Sequence, residues 1–275
     1  MALEDQVAQH YAHGTLEQVI LAALAATGKP IDRLAPADLA PVDEFHIGGR
    51  AATIEFAGAM GVRAGRELLD IGCGLGGASR YFAHELRCRV VGIDLTADYV
   101  AAAKALARRV GLADQVSYQQ ASALALPFAA ARFDGAYMMH VGMNIADKAA
   151  LFAEARRVMK PGGVFGIYDV MRESAGELRY PLPWAATAAT SFLADAATYR
   201  RLLEAAGFMV EAVRSRRDFA IAFFREGQAK AAQAGPPPLG LHLLMGKEAR
   251  QKGANMIANL EAGLVSPTEI IARAT

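Results

Sequence analysis

Apolar positions recur with helical spacing over the first 60 residues, then change near Arg66 to short solid runs divided by glycine and polar turns. Thr15 and Gln18 fit a capping box opening an apolar helix that ends near Thr27, where Gly28 and Pro30 stop it. Pro36–Gly49 is rich in proline and acid and reads as loop, and a second helix follows over about Arg50–Met60. Beyond Arg66 the runs Glu67–Ile71, Arg89–Ile93, Val116–Gln120, Phe133–Met139 and Val164–Asp169 read as strands. Helices over Gly77–Leu86, Thr96–Val110 and Asp147–Met159 fall between them. Arg89–Ile93 is mostly β-branched, as suits a strand buried on both faces. Strand and helix alternating through short connections predict an α/β fold, a Rossmann-like, mostly parallel sheet with helices on both faces.

After Asp169 the rhythm breaks. Met171–Leu193 is irregular, Asp195–Ala206 reads as a helix capped by Asp195, and Met209–Arg214 alternates like a strand. A helical excursion follows, split at Pro236–Pro238 and resuming through Lys247–Glu261, and Thr268–Arg273 reads equally as a last strand or a helix. These changes of texture suggest a helical lid over 1–60, a core over 61–217, and a helical insertion with a probable closing strand over 218–275.

Composition narrows the function classes. The 29 Lys and Arg against 28 Asp and Glu leave a net charge of +1, which offers no footprint for nucleic acid or an anionic membrane. Two cysteines, Cys73 and Cys88, cannot build a disulfide framework, and apolar runs such as Val19–Thr27 and Leu182–Ala194 are too short to span a bilayer. The first residues lack the apolar core of a signal peptide, so the expectation is a cytoplasmic protein with no membrane partner.

The segment Leu68–Gly77, LLDIGCGLGG, carries the chemistry. Gly72, Gly74 and Gly77 satisfy GxGxxG between a strand and a helix, and Asp94 ends the next strand. That pattern alone suits a nicotinamide dinucleotide, but Asp70 sets a carboxylate where a pyrophosphate would have to sit. S-adenosylmethionine, with a sulfonium and no phosphate, suits the site better. The glycines then allow close backbone approach, Asp94 takes the ribose diol and Leu95 lies beside the adenine.

Together with VVGIDLT, the ALPF segment at Ala125–Phe128 and MKPGGVFGIYD, this loop resembles class I S-adenosylmethionine-dependent methyltransferases over about Gly61–Asp169. The small-molecule branch that includes sarcosine/dimethylglycine and ubiquinone/menaquinone enzymes is the most similar, and DEFHIGGRAAT at Asp43–Thr53 resembles the lead-in of the former. The resemblance implies a seven-stranded sheet with a reversed last strand. It implies that Gly72, Cys73, Gly74 and Gly76 line the methionine portion, and that Ser122 and Ala123 meet the adenine where relatives carry an acid. Met139, at the end of the fourth strand, would also reach the cofactor, whose product is S-adenosylhomocysteine.

Tyr137–Asn144 lies where the departing methyl would face. His140 titrates near neutrality and reads either as a base or as a positioning residue. Asn144 reads either as orienting the acceptor or as a helix cap, and Cys73 as a small filler. His46 stands on a loop able to close over the cofactor, and His10, Tyr11 and His13 on a lid helix, with Tyr11 a further catalytic candidate. No spacing supports a metal site. Tyr168, Tyr180 and Trp184 could wall an acceptor pocket, and Leu239–Gly246 could form a buried wall or a homodimer surface. The expected activity is methyl transfer to a small molecule, an amine of the sarcosine/dimethylglycine kind first and a carbon or oxygen of a quinone-like or aromatic product second. A nicotinamide oxidoreductase and a non-catalytic cofactor-binding protein are the readings from other classes.

Overall fold

The computed structural model describes residues 3–11, 16–235 and 237–275. Within it the apolar runs pair into one seven-stranded sheet: β1 (Glu67–Ile71), β2 (Arg89–Asp94), β3 (Val116–Gln120), β4 (Phe133–Met139), β5 (Met159–Arg172), β6 (Phe208–Ser215) and β7 (Val265–Ala274), in the order β3-β2-β1-β4-β5-β7-β6. The first five strands are mutually parallel, and β7 runs antiparallel between β5 and β6. The C-terminal segment is therefore a strand. Wedged between two neighbours, it is buried along nearly its whole length, and its polar Ser266, Thr268 and Glu269 are buried with it.

The helices are α1 (Leu3–Tyr11), α2 (Leu16–Ala26), α3 (Pro36–Asp43), α4 (Gly49–Met60), α5 (Gly77–Leu86), α6 (Ala97–Arg109), α7 (Lys148–Val158), α8 (Ala196–Ala205), α9 (Arg217–Ala234), α10 (His242–Met245) and α11 (Ala249–Glu261). One face of the sheet packs under α4, α5 and α6 through Phe56, Phe82, Tyr118 and Tyr137. The other packs under α7 and α8 through Phe152, Phe165 and Tyr199. Asp147 and Asp195 cap α7 and α8 by accepting from the Ala150 and Thr198 amides at 2.9 and 2.7 Å. No helix among the described residues is long and apolar enough to cross a membrane.

Two expectations need correcting. Pro36–Asp43 is a helix, not a loop. Pro36 occupies its first turn, where a missing N–H costs nothing, Asp38 Oδ2 accepts from the Ala35 amide at 2.9 Å, and Leu39 and Val42 are fully buried against α2 and α6. The fifth strand begins at Met159, well before Val164, because Met159 already pairs with Phe133; Lys160–Gly163 then bulges out, with Gly162 in the left-handed region, before pairing resumes at Val164 with Gly135. The Thr15 cap and His13 lie outside what the structure describes, as do the side chains of His10 and Tyr11.

Candidate active site

The strand order reverses between β1 and β4, and a crevice opens there beyond the carboxyl ends of the strands. It holds a cavity of about 480 Å³, a size ordinary for a small-molecule site.

Its floor is the glycine loop after β1. Gly72 and Cys73 donate to the Ile93 carbonyl, both at 2.8 Å, which ties the loop to the end of β2. Gly72 has φ +73°, and a Cβ there would lie 2.5 Å from Val141 Cγ2, so the strand end and the loop after β4 can meet only over glycine. Asp94 accepts from the Gly74 amide through Oδ2 and the Thr96 amide through Oδ1, each at 2.9 Å. Burial pushes its carboxyl up against those bonds. Each oxygen keeps a lone pair for a ligand.

Asp70 is buried. Ser79 Oγ and the Tyr137 hydroxyl donate to its Oδ2 at 2.6 and 3.1 Å, and burial pushes its pKa up to about 7. This revises the sequence argument: Asp70 carries only part of a charge near neutrality, so it is a weaker repellent of phosphate than its residue type suggests. The stronger discrimination comes from the whole wall. Glu4, Asp43, Glu44, Asp70, Asp94 and Asp147 line the cavity, and no Lys or Arg does among the described residues. Lys148, next in the chain, turns away and donates to the Ile145 and Phe192 carbonyls.

Leu95, Ala123 and Met139 line the cavity as expected, together with Ile93, Ala121 and Leu124. Gly76 and Ser122 do not. Gly76 caps α5 in a left-handed turn where a Cβ would strike the Tyr118 hydroxyl. Ser122 turns its hydroxyl to the Leu124 amide and to Glu4, while Ala121 and Ala123 on either side of it line the cavity. Cys73 lines the cavity as a buried thiol whose pKa burial raises well above its ordinary value.

His140 cannot act as the base. Its Nδ1 lies 3.0 Å from the Tyr168 carbonyl and must be the N–H, and its Nε2 accepts from the Ile47 amide at 3.3 Å. Burial and the neighbouring His46 push its pKa down to about 3, against the Tyr168 carbonyl bond. Both nitrogens are committed to backbone, and its φ of +58° marks a forced turn at the end of β4. These bonds tie the chain entering α4 to β4 and β5. Asn144 lines the cavity from the turn after β4 and does not cap α7. Trp184 lines the cavity; Tyr168 instead donates from its hydroxyl to the Ile47 carbonyl at 3.1 Å, and neither it nor Tyr180 forms part of the wall.

Three functional groups escaped the sequence reading. Glu44 and Thr53 join His46: Glu44 Oε2 lies 3.0 Å from His46 Nε2 and accepts from Thr53 Oγ1 at 2.7 Å. Burial pushes the Glu44 carboxyl up, but the His46 and Thr53 bonds outweigh it and hold it below its ordinary range. Asp169, at the sheet's centre, accepts from the Val141 and Gly142 amides at 2.7 and 3.0 Å and from the Tyr199 hydroxyl at 3.0 Å. It thereby fixes the loop that carries His140 to Asn144. Burial pushes its pKa up to about 6. Glu44 had a visible signal, standing two residues before His46 in an acid-rich segment; Thr53 and Asp169 had none.

The far side of the cavity is apolar. Phe45, Trp184, Phe223, Phe224, Leu244 and Met256 come from the entry segment, the stretch after β5, and α9 to α11. Among the described residues no cluster of three His, Cys, Asp or Glu could hold a metal ion. The residues present do fit S-adenosylmethionine. A diol-accepting carboxylate at Asp94, an apolar slot at Ala121–Ala123 and a glycine loop without cations match a nucleoside that carries no phosphate.

Residues 69–167 match the family described as a methyltransferase domain. A sterol 24-C-methyltransferase of Eremothecium gossypii is 37% identical over 118 residues, which cover 42% of this chain and 32% of that enzyme. The matched segment spans about a third of the length of the first such relatives. The geranyl diphosphate C-methyltransferase of Streptomyces coelicolor A3(2), solved with Mg2+, geranyl diphosphate and S-adenosyl-L-homocysteine, shares the fold at TM-score 0.73 and 17% identity, over 100% of this chain and 98% of that one. The cyclase SpnF shares it at TM-score 0.68 and 23% identity, over 98% and 96%. The chain therefore carries a methyltransferase domain in the class I, Rossmann-like fold.

Proposed function

We propose that this protein transfers the methyl group of S-adenosylmethionine to an apolar small molecule that bears no phosphate. The observation that carries this reading is a cavity with an aromatic and aliphatic far wall, several carboxylates and no lining Lys or Arg among the described residues. A phosphate placed about 4 Å from a single carboxylate, at an effective dielectric of about 20, meets roughly 4 kcal/mol of repulsion per pair of unit charges. Arg80, behind the wall, neutralises Asp43 at 2.6 Å, and among the described residues no lining guanidinium or ammonium offsets the other carboxylates.

The cofactor supplies an already activated methyl group, so the protein's task is alignment and exclusion of water. Asp94 and the glycine loop would hold the nucleoside, and Asp70 would face its amino-acid end. Asp169, through the Val141 and Gly142 amides, and His140, through Ile47 and Tyr168, hold the two chain segments between which an acceptor enters. Trp184, Phe223 and Phe224 close the apolar side and keep water out, with α1 and α9 to α11 serving as the covering segments.

An amine acceptor is the second reading, favoured by the carboxylates, which suit a cationic group. A glycine-type amine brings its own carboxylate, however, and finds no lining cation for it. The test is release of S-adenosylhomocysteine across phenols, enols, amines and phosphate esters, with cofactor binding followed by calorimetry. Turnover of apolar, phosphate-free acceptors is expected. Binding of NAD in preference to S-adenosylhomocysteine would overturn the reading.

A further inference from the structure

Between α3 and α4 the chain places two buried titratable side chains on the cavity wall, and the alignment described above uses neither. Glu44 and His46 are 2% and 6% exposed, and both line the cavity. We propose that they form a proton-accepting pair for a hydroxyl group on the acceptor, so that the acceptor is a phenol or enol; this rests on the methyl-transfer reading above.

The bonding inventory carries the inference. A carboxylate can only accept, so the ring proton of His46 lies on Nε2, directed at Glu44 Oε2. Thr53, fully buried, gives its hydroxyl proton to the same Oε2 and approaches His46 Nε2 at 3.1 Å. The ring is thus held from one side by two groups, and its Nδ1 is left as a lone-pair acceptor. Neither His46 Nδ1 nor Glu44 Oε1, both buried, has a partner among the described residues. Buried polar atoms without partners are rare in folded proteins and call for a ligand or a chemical role. A carboxylate oriented on one nitrogen of an imidazole, with the other nitrogen open, is the arrangement that accepts a proton from a hydroxyl.

The other titratable groups on the wall are engaged elsewhere: Asp43, whose Oδ1 also lacks a partner among the described residues, is paired through Oδ2 with the buried Arg80 at 2.6 Å, and Asp94 keeps its free lone pairs for the ribose. His140 has both nitrogens committed to backbone, Asp94 holds two loop amides, and Asp70 accepts from Ser79 and Tyr137. The His46 ring sits 6.0 Å from His140 and 6.1 Å from Tyr168, centroid to centroid, beside the end of β4 where the acceptor enters.

In the reaction the acceptor oxygen forms its new bond to the methyl carbon with its own lone pair, while the carbon–sulfur pair stays on sulfur. The hydroxyl proton passes to His46 Nδ1. One positive charge is discharged at sulfur and one appears on the imidazole, where the Glu44 carboxylate faces it. An acceptor with no proton to lose would have no use for the pair.

Binding tests the pair without turnover. With 15N-labelled histidine, 2-naphthol should move the Nδ1 resonance that is missing from His46→Gln, and 2-methoxynaphthalene, its methyl ether, should leave it in place. Equal movement by both probes, or by neither, overturns the proposal. Turnover then separates chemistry from structure. Glu44→Gln should lower S-adenosylhomocysteine release by about 100-fold on weakly acidic phenols, with the loss shrinking toward nitrophenols that are already ionised. A uniform loss across the series marks a structural role and overturns the proposal; Thr53→Val replaces Glu44→Gln if the latter fails to bind S-adenosylhomocysteine. Turnover of thiols or tertiary amines with no phenol turned over defeats the pair and leaves methyl transfer standing. Silence on every acceptor class defeats the methyl-transfer reading itself.

Discussion

The two sides of the cavity are built in opposite ways. The cofactor side is one contiguous loop and two strand ends, Asp70 to Gly76 and Ile93 to Thr96, shaped by backbone hydrogen bonds and left-handed glycines. The acceptor side is assembled from side chains far apart in sequence, Phe45, Trp184, Phe223 and Met256, delivered by four separate segments. Backbone-built geometry tolerates little variation, because its residues are dictated by φ and by amide positions. Side-chain-built geometry changes with each substitution, so the same fold can serve different acceptors.

Substitutions should separate the two sides, beginning with the largest effect. Asp94→Ala removes the charged acceptor of two loop amides and, by the reading above, of the ribose. The loss of charge-assisted bonds, about 3 kcal/mol, should lower S-adenosylhomocysteine affinity about 100-fold in calorimetry. His140→Asn, which tolerates the left-handed backbone, should lose about 1–2 kcal/mol at pH 7 by denaturant unfolding through the lost backbone ties. The pH dependence carries a definite sign. With a folded pKa of about 3 against 6.5, the unfolded chain binds more protons between those values, so wild-type stability rises with pH through that window and levels off above it. The variant should show a shallower rise. Trp184→Ala should shift preference between small and large apolar acceptors by about 10-fold while leaving S-adenosylhomocysteine affinity within about 2-fold. Ser122→Ala should be the smallest change, within about 2-fold on cofactor binding, because the hydroxyl already serves Leu124.

What was legible in the sequence follows the same division. The glycine loop, Asp94 at a strand end and the five parallel strands could be located because each depends on local spacing and turn chemistry. Ser122 was carried over as a family position; the bond of its hydroxyl to Glu4, far away in the chain, has no signal in the sequence. The helix α3 was hidden because its two prolines outweighed Leu39 and Val42, whose burial is a tertiary effect. Thr53 meets Glu44 only because the chain turns between α3 and α4, and Asp169 meets Val141 only across the sheet; neither relation has a period to detect. His140 stood open between a base and a positioning residue in the sequence, since the backbone groups that occupy its nitrogens come from Ile47 and Tyr168, distant in sequence.

The central claim is that a cavity without lining cations selects a methyl acceptor without phosphate. The most direct measurement is S-adenosylhomocysteine release from matched apolar pairs, a free aryl or prenyl alcohol beside its phosphate ester, at equal concentration with saturating S-adenosylmethionine. Turnover of the free member, with the ester at least about 10-fold slower, is the predicted result. Turnover confined to the phosphate ester would contradict the account.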